Sequence, residues 1–377
     1  LSFAVPRDMM SSRARRCCYV VGATVALQNP PTRTTPRKDV LFSFGVIADI
    51  QYCDVPDAHN FGKTEFRRYR SSLEGARRAA RQFRAENVRF VAQLGDLIDG
   101  QNNGQYGAGL GRGRASERAL EDVLDALEAC DGPWYHVVGN HELMNFADLR
   151  TGFRESLRER GEEKHVVSRE TSFYFRAAVF ENWRFLVLNS YEVSLELPES
   201  ERGYVEAREI LARENPKVVD AKAGTVDYFE GLHGPNQRFV PFNGAYGETQ
   251  LRWLRAELDD ARTLGQRVVI FCHTPLHHDA ASWRNVNFDA PDVLDLLAAF
   301  PDVVFSVFAG HAHRGGYTLD EGVHHTTVQA TLTHESSFGV VDVYADRLIL
   351  RGFGDLPSRD FSSLPAGGDA VLLRRQS

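Results

Sequence analysis

The sequence predicts an α/β fold, and two observations carry that prediction. Short apolar runs alternate with longer stretches of helical period, and several of those runs stop abruptly on a polar cluster. From residue 41 the order opens strand, helix, strand, helix, strand, as in a sheet with parallel strands. "LFSFGVIAD" (41–49) reads as a buried strand. In "TEFRRYRSSLEGARRAARQFRAE" (64–86), Phe66, Tyr69, Leu73, Ala76, Ala80 and Phe83 fall at helical spacing under a basic outer face. "VRFVAQLGD" (88–96) predicts the second strand, "SERALEDVLDALEAC" (116–130) a second helix and "WYHVVGNHE" (134–142) a third strand.

In the second half, Phe173, Phe175, Ala177 and Val179 alternate ahead of the apolar run Phe185 to Leu188. That pattern predicts a hairpin leading into a central strand. Residues 193–243 are polar with weak helical stretches, expected to form an elaborated loop or small subdomain beside the site. A helix (247–264), a strand (267–273), a helix (290–300), a strand (303–311) and a meander from His324 to Gly352 follow. The first forty residues are rich in Arg, Ser and Thr and poor in acids, which predicts a disordered leader or a transit peptide. The expected organisation is therefore a leader (1–40), one domain (41–360) and a C-terminal tail (361–377).

A net charge of −7 argues against nucleic acid as the main partner, and no apolar stretch is long enough to cross a bilayer. The five cysteines (Cys17, Cys18, Cys53, Cys130, Cys272) lack the regular spacing of a disulfide framework or a zinc finger.

Five apolar runs end on groups able to hold a metal: Asp49 with Gln51, Asp96 with Asp99, Asn140 with His141, His273, and His311 with His313. Singly, each has a bland reading, since an Asp at a strand end is usually a turn residue and a His a core or surface side chain. Five in order make coincidence improbable, because strand ends of open α/β sheets deliver side chains to one crevice. The mixed oxygen and nitrogen donors suit divalent Mn, Fe, Zn or Mg.

This ordered set resembles the calcineurin-like metallophosphoesterase superfamily, whose usual first motif is Asp-x-His. A narrower likeness runs from Phe44 to about Arg359. "IADIQYCD", "NFGKTEFRRYRSSL", "LGDLIDG", "GNHE", "RFVPFNGAYGETQLRWL" and "FAGHAHRGGY" resemble the manganese-dependent ADP-ribose/CDP-alcohol diphosphatases, which have Gln where the superfamily has His. The resemblance implies two mixed sheets packed face to face with helices outside, a four-layer α/β/β/α sandwich. It also implies two divalent ions, with Mn2+ the expected metal. Asp49, Gln51, Asp96 and His313 would hold one ion, and Asp96, Asn140, His273 and His311 the other, with Asp96 bridging. Two ions about 3.5–4 Å apart clamp a phosphoryl group for in-line displacement. Gln51 would supply a neutral oxygen in place of an imidazole nitrogen, favouring Mn2+ over Zn2+. His141 would assist the departing phosphate, with Asp99 orienting it.

The implied reaction is hydrolysis of the phosphoanhydride of ADP-ribose or of CDP-alcohols such as CDP-choline and CDP-glycerol. A phosphomonoesterase, a cyclic-nucleotide phosphodiesterase, a phosphoprotein phosphatase and a non-catalytic scaffold remain the alternatives. Phe61 matches a position lining the nucleotide pocket, and Trp283 is a second candidate for stacking on the substrate. The loop "HHDAASWRNVNF" departs from the usual pattern and leaves the preference among these compounds and cyclic ADP-ribose open. Structural roles are expected for His136, His324, His325 and Trp253, and solvated loop positions for His277 and His278. A monomer in the cytoplasm is expected, or in an organelle if the leader is a transit peptide.

Overall fold

Large apolar side chains alternate along the strands, so each sheet has two faces to cover, and the fold covers all four. The computed structural model describes residues 38–60, 63–103, 115–161, 163–168, 172–221 and 225–362. Nearly all of the expected leader and tail lies outside them. No helix among the described residues is long and apolar enough to cross a membrane.

The strands in chain order are β1 (Phe42–Ile47), β2 (Ala58–His59), β3 (Phe66–Arg67), β4 (Val91–Gln93), β5 (Trp134–His136), β6 (His165–Val166), β7 (Phe175–Phe180) and β8 (Trp183–Val187). They continue with β9 (Arg267–Phe271), β10 (Val304–Ala309), β11 (Gly316–Asp320), β12 (Val323–Thr327), β13 (Phe338–Val343), β14 (Leu348–Phe353) and β15 (Arg359–Phe361). The helices are α1 (Ser72–Ala85), α2 (Ala115–Leu127), α3 (Asn140–Asn145), α4 (Arg154–Glu159), α5 (Arg202–Glu214), α6 (Gly247–Thr263) and α7 (Ala290–Ala298). A seven-stranded sheet has the order β15-β14-β13-β1-β4-β5-β6, and a six-stranded sheet the order β11-β12-β10-β9-β8-β7. Both are mixed: β1 runs parallel to β4 but antiparallel to β13, and β9 runs parallel to β8 while β7 returns antiparallel.

Between the sheets Phe44, Val46 and Phe90 from one side meet Phe185, Val269, Phe271 and Phe308 from the other. Phe44 stacks on Phe90 at 5.0 Å and takes the edge of Phe271 at 5.7 Å. The alternate residues face outward. Ile47 and Val91 pack under α1 and α2, and Val268, Ile270 and Val307 pack under α6 and α7. The result is the expected α/β/β/α sandwich.

Local departures from the sequence reading have identifiable causes. The first helix begins at Ser72 rather than near Thr64. The backbone N–H groups of Arg70 and Ser71 donate to the Asp57 carboxylate, and that of Arg68 donates to the Leu332 carbonyl, so residues 64–71 are held outside the helix. The third strand ends at His136, and Asn140 opens a short helix whose first turn is capped by Glu142 accepting from the Gly139 N–H. Within 193–221 and 225–243, Val193, Ala207, Leu211, Val218 and Phe239 gather in a small apolar cluster together with Ala245 and Phe288.

Candidate metal centre

Parallel strands bring their C-terminal ends to one edge of each sheet, and the five polar clusters leave the strands there. The turns are tight. Asp49, Gln51, Asp96 and His311 all adopt positive φ (50°, 43°, 59° and 63°), a conformation that costs a non-glycine residue roughly 1–3 kcal/mol. Backbone hydrogen bonds hold them: Asp49 N–H donates to the Gly95 carbonyl at 3.2 Å and Gln51 N–H to the Asp96 carbonyl at 2.9 Å. Gly139 is required by close approach, because a Cβ there would lie 2.1 Å from Asp96 Oδ1. Gly139→Ala is therefore expected to displace Asp96 and destabilise the protein by about 1–3 kcal/mol. Thermal melts and a Mn2+ titration of the variant check this; an unshifted melt with normal metal binding would contradict it.

The side chains sort into two groups that share Asp96. On one side Gln51 Nε2 donates to Asp96 Oδ2 at 2.8 Å and lies 3.2 Å from His313 Nε2, which is 3.8 Å from Asp49 Oδ1. On the other, His273 Nε2 lies 3.4 Å from Asp96 Oδ2, 3.2 Å from Asn140 Oδ1 and 3.2 Å from His311 Nδ1. The donor atoms of Asp49, Asp96 and His273 all fall within 4.8 Å of one another, and all three residues are buried.

Each imidazole has its far nitrogen occupied. His273 Nδ1 meets the Leu94 carbonyl at 2.7 Å, His311 Nε2 meets Asn243 Oδ1 at 3.1 Å, and His313 Nδ1 meets Glu65 Oε2 at 3.0 Å. Those partners are acceptors, so the far nitrogen carries the proton and the near nitrogen turns a lone pair into the site. Three aimed lone pairs beside two carboxylates and two amides form a donor set that fits divalent cations. Gln51 supplies a further sign: its Oε1 is buried without a hydrogen-bond partner, and a half-turn of the amide presents it to the site.

Burial acts to lower the His273 imidazole, but Asp96 and then Asp49 outweigh it and raise it to about 9, so a cation bound there would displace a proton to reach the Nε2 lone pair. Burial pushes the Asp49 carboxyl up to about 6 despite His273 and His313 nearby. Burial also acts to raise Asp96, but His273 and His141 outweigh it and hold that carboxyl well below its usual range. Burial keeps His311 well below the usual imidazole value, and hence neutral, as a ligand requires.

His141 lies beside the shared carboxylate, with Nε2 3.9 Å from Asp96 Oδ2. Its Nδ1 accepts from the Gly100 N–H at 2.7 Å, so Nε2 carries the proton toward the site. Asp99 Oδ2 lies 3.9 Å from that same Nδ1, beyond hydrogen-bond range, and the backbone amide makes the contact expected of the carboxylate. Trp283 stacks on His278 at 4.0 Å in a turn after His273, while Phe61 lies outside the described residues. His136, His324 and His325 are buried in strands, Trp253 packs on Tyr174, and His277 is buried rather than solvated.

Four contributors were not singled out from sequence. Glu65 and Asn243 orient His313 and His311, and Tyr191 donates to Asn140 Oδ1 at 3.3 Å. Glu142 accepts from the N–H groups of Asp96, Leu97 and Gly139, and burial, then the Asp96 charge, pushes its carboxyl up to about 7. The only sequence signal was that Glu65, Glu142 and Asn243 fall inside the stretches "NFGKTEFRRYRSSL", "GNHE" and "RFVPFNGAYGETQLRWL".

Comparison with known proteins agrees with this geometry. The calcineurin-like phosphoesterase family model matches residues 42–315. A manganese-dependent ADP-ribose/CDP-alcohol diphosphatase of Bos taurus is 35% identical over 87% of this chain and 96% of its own. One from Oryza sativa subsp. japonica is 35% identical over 84% and 92%. The crystal structure of a dimetal phosphatase from Danio rerio superposes with a TM-score of 0.75 at 33% identity, covering 86% of this chain and all of that one. The chain is thus a dinuclear metal-dependent hydrolase of the calcineurin-like metallophosphoesterases, and belongs with the manganese-dependent ADP-ribose/CDP-alcohol diphosphatases.

Proposed function

We propose that the protein hydrolyses the phosphoanhydride of nucleoside diphosphate-linked compounds, ADP-ribose and CDP-alcohols, with Mn2+ as the working metal. ADP-ribose would give AMP and ribose 5-phosphate, and CDP-choline would give CMP and phosphocholine. The observation that carries this reading is Gln51, an amide at the tip of β1 where the wider superfamily resembled has an imidazole, with its Oε1 free of protein partners. The relatives that share the longer stretches bear these substrates in their names.

When bound, two divalent ions would supply Lewis-acid charge at the phosphoryl group and activate the attacking water. The residues of the chain do the rest. Asp96, central to both groups of ligands, would be shared by the ions, and Asp49, Gln51, Asn140, His273, His311 and His313 would hold them from the walls. His141 directs its Nε2–H at the phosphate oxygen on which charge develops as the bond to the leaving phosphate breaks.

A substrate panel assayed with Mn2+, Mg2+ and Zn2+ tests the reading. Mn2+-dependent release of AMP from ADP-ribose, with little activity on p-nitrophenyl phosphate, is the expected result. The reverse ranking would favour a phosphomonoesterase. Gln51→His is expected to shift the metal preference away from Mn2+ toward Zn2+ by roughly tenfold or more, the direction of a softer donor. An unchanged metal profile would leave the amide without a role in selectivity.

A further inference from the structure

Behind the metal centre, inside the seven-stranded sheet, lies a chain of buried polar groups that the chemistry above leaves unused. Gln93, the last residue of β4, is fully buried, as is His136 at the end of β5, and His165 of β6 is nearly so. Gln93 Nε2 donates to the Gly95 carbonyl at 2.7 Å, and Gln93 Oε1 lies 3.2 Å from His136 Nδ1. His136 Nε2 lies 3.1 Å from His165 Nδ1. The Gly95 carbonyl also accepts the Asp49 N–H, so this one oxygen ties the loop of Asp49 to the loop of Asp96. Gly95 itself has φ +96° and packs its Cα against the His273 ring.

The protons follow from the Gly95 end of the chain. The Gly95 oxygen can only accept, so the amide nitrogen of Gln93 faces it and the amide oxygen faces His136. His136 must then carry its proton on Nδ1, leaving Nε2 to accept from His165 Nδ1–H. His136 must be neutral for this, while His165 can donate from Nδ1 in either charge state, its Nε2 lying 3.7 Å from Glu128 Oε1. Burial, followed by the neighbouring His165, holds His136 well below the usual imidazole value, and burial lowers His165 to about 4. The Gly95 oxygen fixes the Gln93 amide, the amide fixes the His136 tautomer, and His165 closes the chain by donating to His136 Nε2.

We propose that Gln93, His136 and His165 form a tautomer-locked relay whose function is to position the carbonyl joining the Asp49 and Asp96 loops, and through it the bridged pair of metal ions. They are positioning residues, and none faces the reacting atoms. With His165 removed, His136 Nε2 is left buried without its donor, and the ring is free to turn or to move its proton to Nε2. Either change withdraws the Nδ1–H from Gln93 Oε1, and the amide that meets the Gly95 oxygen loses its anchor at the junction of the two loops. The inference rests on the dinuclear centre and is independent of which substrate is cleaved.

The test uses full-length protein carrying Gln93→Met or His165→Phe, stripped of metal and titrated with Mn2+. Binding is followed by calorimetry, and formation of the coupled pair by electron paramagnetic resonance. Thermal melts without metal report on folding. Both variants should bind the second ion about tenfold or more weakly, with kcat reduced and KM for ADP-ribose or any other cleaved substrate unchanged. The double variant should be no weaker in metal binding than Gln93→Met alone, because both changes act through one carbonyl. Wild-type Mn2+ affinities and an unaltered paramagnetic spectrum in the folded variants would overturn the proposal, as would a lowered melt with metal binding intact. If Gln93→Met fails to fold, His165→Phe, at the far end of the relay, decides the question by the same readouts.

Discussion

Asp96→Ala is expected to abolish turnover, by roughly 10³-fold or more, and to reduce bound Mn2+ from two ions per chain to one or none. The magnitude follows from position. Asp96 Oδ2 accepts from Gln51 at 2.8 Å and faces His273 at 3.4 Å, so it belongs to both groups of ligands. Its Oδ1 is taken by the His141 N–H at 2.9 Å, which fixes the carboxylate plane. Alanine removes the shared negative charge and leaves Gln51 and the His141 amide without their common acceptor. Metal content and single-turnover rates together test this. Near-normal rates with two ions bound would show that Asp96 is not the bridge.

His141→Ala is expected to lower kcat by about 10²–10⁴ while leaving both metals in place, the size of effect seen when an acid–base group is lost. The Gly100 N–H on Nδ1 leaves the proton on Nε2, aimed inward, so the ring presents a donor and offers no lone pair to an ion. That separates it from His273, His311 and His313, whose inward nitrogens carry lone pairs. Measuring kcat beside metal occupancy distinguishes the roles: loss of an ion in the variant would make His141 a ligand.

Much of this was legible in the sequence because it depends on local pattern. The short apolar runs "FSFGVI" and "RVVIF" give β1 and β9, buried on both faces, and helical spacing in 72–85 and 247–263 gives the outer layers. The residues that come together around Asp96 were readable because each cluster follows closely on an apolar run. What was not legible depends on contacts distant in the chain. Asp57 caps the start of α1 from well upstream, so a helical pattern beginning near Thr64 was cut back to Ser72. Glu65 then lies on a turn that reaches His313, 248 positions away, a contact that no reading of it as a surface helix residue could find. Asn243 sits at the end of an apparently featureless segment and orients His311. Backbone groups are the least visible of all. The Gly100 amide that sets the His141 tautomer and the Leu94 carbonyl that sets that of His273 have no side-chain signature.

The central claim is that seven residues from five strand ends hold two ions on either side of Asp96. Anomalous scattering from crystals of the Mn2+-loaded protein tests it most directly. Two manganese peaks about 3.5–4 Å apart, one toward Asp49, Gln51 and His313 and the other toward Asn140, His273 and His311, are the expected result. A single peak, or a pair that leaves Asp96 bound to only one ion, would contradict it.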